Sequence, residues 1–160
     1  MDGPISGNNA ARAIYGQILS TAVVATLSED EEYSVLDVFL AVVISTLVFW
    51  IAHVYAESAA QRLNQKENLT VRQVIANGRS EGAMVLAAIP TALVLGLGAF
   101  EALNRDLTLD LAIALGVAEL VGLGLVIARR SSMGVRGTIG SMLLTASLGM
   151  LIVGLKTVVH

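Results

Sequence analysis

A lone acid stands in the middle of an uncharged stretch. Glu119 lies nine residues after Asp110 and ten before Arg129. At mid-membrane a charged side chain is costly unless it faces a polar cavity, pairs or takes a proton. Two chemistries follow. Glu119 is a site for a proton or small cation, or it is a protonated acid hydrogen-bonding between helices. His53 and Glu57 stand four apart, on one helix face, with Trp50 one turn before and Tyr55 nearby. A His–Glu pair titrates near neutral pH and can sense it. The same residues also suit an anchor at the membrane–water interface, where Trp and Tyr gather. Gln17, with Ser20, Thr21, Ser45 and Thr46, adds polar groups toward the middle of the first two apolar segments. With Glu119 these residues can line a narrow polar path.

Other chemistry lacks its residues. The chain has two His and no Cys, and His160 lies far from His53. A metal site needs three or four ligands, and with the N-terminus inside His160 falls on the opposite side of the membrane from His53, so neither a zinc nor a bis-histidine haem centre is expected, and no cofactor. There is no glycine-rich phosphate loop, no His-Glu-x-x-His and no Gly-x-Ser-x-Gly, and no enzymatic activity is expected. Few aromatics and a net charge of -3 argue against nucleic acid as a partner.

The elements that hold these residues are set by hydropathy. Charged residues are 14% of the chain and hydrophobic ones 55%, against about 25% charged in a soluble domain. Charges mark the ends of the apolar runs. A crossing takes roughly 20 apolar residues, which predicts an all-α bundle of five spans near 11–28, 35–57, 81–103, 108–128 and 136–158. Residues 1–10 are expected to form a loose tail. With the N-terminus inside, eight of the ten Lys and Arg fall in inner segments; only Arg105 and Lys156 fall outside. That bias predicts N-in, C-out insertion in the cytoplasmic membrane. The segment 58–80 is then a cytoplasmic loop. Within it Thr70 and Gln73 have capping-box spacing, and Val71, Val74, Ile75 and Gly78 trace one face of a short interfacial helix that Gly78 can end. Ser34-Val-Leu-Asp37 and Leu107-Thr-Leu-Asp110 each open an apolar segment, a hint of a 2+2+1 duplication.

Helices associate in lipid through small residues. Three stripes of them repeat every four positions: Gly137, Ser141, Thr145 and Gly149; Ala88, Ala92 and Gly96; and Ala114, Ala118 and Gly122. They predict a tight bundle whose seams lie within one chain or between the chains of a homo-oligomer. Pro90 removes a backbone donor midway along the third span.

Phe49-Trp50-Ile51-Ala52-His53-Val54-Tyr55-Ala56-Glu57 resembles a segment of a group of small actinobacterial integral membrane proteins. That group is similar also at Tyr15-Gly16, at Arg129-Arg130 and at Leu155-Lys156 with His160. A fainter likeness is to prokaryotic and lysosomal potassium channels. Arg12, Ala22-Val23-Val24-Ala25-Thr26-Leu27, Trp50 and His53 resemble their first two helices. The Phe-Ser-Asp of those channels would fall on Gly16-Gln17-Ile18, where it is absent. The expectation is a small membrane protein, in contact with the bilayer, that passes or senses protons or small cations through Glu119. The alternative is an accessory or assembly subunit bound to another membrane protein.

Overall fold

The computed structural model describes residues 7–65 and 70–130, with Gly137, Ile139, Gly140, Leu143, Leu144, Ser147 and Gly154 beyond them. Among these residues the regular structure is all helical: α1 Gly7–Leu27, α2 Val35–Gln65, α3 Val71–Ala99 and α4 Arg105–Arg130. Each is long and apolar enough to cross a membrane. The described residues thus hold four candidate spans where five were expected. The expected fifth, 136–158, falls mostly outside the described residues, as do Ser141, Thr145 and Gly149 of its stripe. The residues described there are helical.

Local chemistry fixes the helix ends. Ser34 caps α2: its Oγ accepts from the Asp37 N–H at 3.2 Å, and the Asp37 carboxylate accepts from the Ser34 N–H at 2.9 Å. Thr70 and Gln73 form the expected capping box on α3. Asn104 opens α4, its Oδ1 accepting from the Leu107 N–H at 2.8 Å. Asp110 lies further into α4 and does not cap it, so the two matched tetrapeptides do different work. At the end of α3, Ala102 N–H reaches the Leu97 carbonyl and Glu101 N–H the Gly98 carbonyl. This is a Schellman ending, with Glu101 held at φ 59.

The segment 58–80 is not a loop. α2 runs on to Gln65 and α3 begins at Val71. Gly78 does not end a short helix; it lies inside α3, where its carbonyl accepts from Trp50 Nε1 at 3.0 Å. At 31 and 29 residues, α2 and α3 are about 46 and 43 Å long, against about 30 Å of hydrocarbon. Their linked ends are tied by amides: Asn77 Nδ2 donates to Ser58 Oγ at 3.0 Å and to Gln61 Oε1 at 3.1 Å.

The buried residues of α3 are Asn77, Glu81, Met84, Ala88, Thr91, Leu95 and Gly98. They alternate steps of four and three, the spacing of a left-handed helix seam. α3 packs against the other three helices, while α2 and α4 barely meet. Ala88 and Ala92 face α2 across a small cleft shared with Thr46, and Gly96 faces Phe39. The α3 stripe is therefore a seam within the chain. Ala114, Ala118 and Gly122 on α4 are exposed among the described residues. Val24, Val38, Val42, Leu95, Leu109, Ile113 and Leu120 belong to an apolar core shared by the four helices. Lipid is as apolar as this core, so it stabilises the fold through close contact more than through water exclusion.

Candidate functional site

The site begins with two glycines. A Cβ on Gly16 would collide with the carbonyl oxygen of Met84, so the α1 and α3 backbones touch there. A Cβ on Gly116 would collide with Thr21 Oγ1, which brings α4 against the polar face of α1. These approaches carry Gln17, fully buried, into the centre of the bundle. Its Nε2 donates to Thr21 Oγ1 at 3.3 Å and to Thr91 Oγ1 at 3.2 Å. Ser20, also buried, returns its hydroxyl to the Gln17 carbonyl at 3.1 Å. The inner face of α1 is thus polar and its lipid-facing side apolar, the reverse of a helix in a soluble protein.

Gln17 lines a cavity of about 440 Å³ between α1, α3 and α4. Glu119 lines it from α4 and Pro90 from α3, with Asn9 toward one end. Pro90 cannot donate to the carbonyl of Leu86, which borders the same space. Among the described residues, Gln17 Oε1 and Glu119 Oε2 are buried without a hydrogen-bond partner. A buried acceptor left unpaired costs about 1–3 kcal/mol, and more if charged. Both residues line the cavity, but these two oxygens have almost no accessible surface of their own, so a ligand in the cavity meets them only when the side chains turn.

The remaining candidates lie elsewhere. Thr46 is buried in the α2–α3 cleft, its hydroxyl also unpartnered among the described residues. His53 is not paired with Glu57. Its Nδ1 lies 3.0 Å from the Phe49 carbonyl and its ring stands 6.1 Å from that of Tyr15, while Glu57 accepts from Gln61 Nε2 at 3.2 Å. Tyr15 and Gln17 point to opposite sides of α1, so the structure does not bring His53 together with Gln17. Of the five pathway candidates, Glu119 and Gln17 share the cavity between α1, α3 and α4.

One polar element escaped the reading of the sequence. Arg12 on α1 and Glu81 on α3 form an ion pair at 2.7 Å, with the Glu81 side chain 4% exposed. Arg12 also donates to Asn9 Oδ1 at 3.2 Å. Both residues look like span boundaries in the sequence. The signal that could have found them is the four-and-three spacing that puts Glu81 between Asn77 and Met84. At the other end Arg105 donates to the carbonyls of Ser28, Asp30 and Tyr33 at 3.3, 2.9 and 3.3 Å.

Four apolar helices of spanning length, packed around a polar interior, define the class: a multi-pass helical membrane protein. No known family model, curated protein or solved structure matches the chain.

Proposed function

We propose that this is a five-span protein of the cytoplasmic membrane, N-in and C-out, assembling as a homo-oligomer, that passes or senses a proton or small cation at Glu119. The observation that carries the reading is the Glu119 side chain on a cavity shared with buried Gln17, one of its carboxylate oxygens without a hydrogen-bond partner among the described residues. A carboxylate so placed is stabilised by a proton or by a cation, and alternation between the two is the elementary step of transport. Gln17, held by Thr21 and Thr91, is the fixed amide beside it on the same cavity. The rival is an accessory subunit. It draws on the exposed Ala114, Ala118 and Gly122 of α4, a surface suited to another membrane helix.

Glu119→Gln keeps the shape and removes the titration. In liposomes it is expected to abolish proton or cation flux while the protein keeps its elution volume and melting profile. Wild-type flux in the Gln variant removes Glu119 from the mechanism. A variant that only loosens the assembly favours the subunit.

A further inference from the structure

We infer that the cavity between α1, α3 and α4 is a binding site for a lipophilic ammonium ion, an amine protonated at nitrogen and carried on an apolar body. The inference rests on Glu119 being the cation site proposed above and names the class of cation.

Three observations on the cavity decide the class. The first is size. The cavity is open on one side, and its volume of about 440 Å³ falls in the range of organic-ligand sites, roughly 300–1,000 Å³, and is far more than a bare ion fills. The second is the lining. Apart from Asn9, Gln17 and Glu119 the walls are Ala, Leu, Val, Pro and Gly. A hydrated ion gains nothing from such walls, whereas an alkyl or aryl group packs against them. The third is the number of free acceptors. A hard metal cation takes about six oxygen ligands. Here the side-chain oxygens come from three residues, and Asn9 Oδ1 already accepts from Arg12. Glu119 Oε2 and Gln17 Oε1 are left without partners among the described residues. Even with the second carboxylate oxygen of Glu119 and the Leu86 carbonyl that Pro90 leaves without its helix donor, these oxygens are too few for a metal shell, whereas one carboxylate suffices to pair an ammonium.

The charge also balances. Glu119 is the sole ionisable residue among those lining the cavity. Arg12, next to the lining residue Ala13 on α1, and Glu81 on α3 neutralise each other at 2.7 Å. The site therefore holds one negative charge when Glu119 is ionised. Ammonium and proton compete for it one for one: as the amine cation seats, the Glu119 proton leaves to water. Binding weakens as pH falls, because a protonated Glu119 has no charge to offer.

The test uses the purified full chain in maltoside micelles and isothermal titration with 1-naphthylmethylammonium chloride. The comparison ligand is 1-naphthylmethanol, with the same apolar body and no charge. Expected is saturable binding of the amine, at least tenfold weaker in Glu119→Gln, weaker also in Gln17→Leu, and absent for the alcohol. Glu119→Asp keeps the charge and should retain binding, which separates loss of charge from loss of fold. Equal binding of the amine to wild type and Glu119→Gln, or equal binding of amine and alcohol, overturns the inference. So does a loss of binding in Glu119→Asp as complete as in Glu119→Gln. The liposome flux assay on the same variants separates the two readings. If flux depends on Glu119 and no amine binds, the organic ligand falls and the small-ion reading stands. If neither flux nor saturable binding is found, both fall.

Discussion

Replacing Gly16 by Ala tests the closest contact in the bundle. The added methyl would sit 2.8 Å from the Met84 carbonyl carbon and 2.9 Å from its Cα, and nearer still to the carbonyl oxygen. All three are backbone atoms, so no side chain can rotate out of the way; α1 and α3 must move apart. Overpacking of this kind typically costs about 1–3 kcal/mol. Ala is also the better helix former, by up to about 1 kcal/mol, and this gain must be cancelled before the clash can be read. Gly122→Ala supplies the control, because a Cβ there meets nothing within 4 Å. The difference between the two variants is expected to be about 1–3 kcal/mol, with Gly122→Ala as stable as wild type or slightly more so. Unfolding in mixed micelles by titration with a denaturing detergent, followed by circular dichroism, measures both. The separation of α1 from α3 should also loosen the Gln17–Thr91 hydrogen bond, so ligand binding and flux should weaken with stability. Equal stability of Gly16→Ala and Gly122→Ala would refute the reasoning, since it would mean that the α1 backbone does not rest on Met84.

Three further outcomes are expected. Arg12→Met strands the buried Glu81 carboxylate and should cost roughly 3 kcal/mol in the same unfolding assay, while Arg12→Met with Glu81→Leu recovers most of it; additive losses would show that the ion pair is not formed. Glu101→Gly relieves a non-glycine residue at φ 59 and should stabilise by about 1 kcal/mol; a loss would mean that the Schellman ending is absent. An impermeant thiol reagent on intact cells should label Cys at Asp30 and not at Val71, following the Lys and Arg bias; the opposite pattern inverts the topology.

The spans were legible because charge and hydropathy report directly on what lipid excludes. Glu119 was legible for the same reason, and Gln17 stood out as an amide in an apolar run. The linked ends of α2 and α3 lie beyond the span limits that the sequence suggests because Glu57 and Glu81 read as marks of the membrane boundary. A helix does not stop where lipid stops, and Glu81 is buried against Arg12. The stripes were a partial guide. Ala88, Ala92 and Gly96 do form a seam, but the tightest approaches are single glycines, Gly16 and Gly116. Each depends on what the partner helix places opposite it, a carbonyl in one case and a hydroxyl in the other. Periodicity within one helix carries no information about that, nor about whether His53 turns toward Glu57 or toward Phe49 and Tyr15.

The Arg105 clamp has a consequence for the order in which the protein is made. The three carbonyls it holds belong to the turn joining α1 and α2, and lie 72 to 77 residues earlier in the chain. When the first two helices leave the ribosome and enter the bilayer, that guanidinium has not yet been synthesised. The turn of the first hairpin is without this donor until α3 has been made and the start of α4 emerges. Closing of this turn therefore ties the start of α4 to the first hairpin, and a chain truncated before Arg105 would lack that tie.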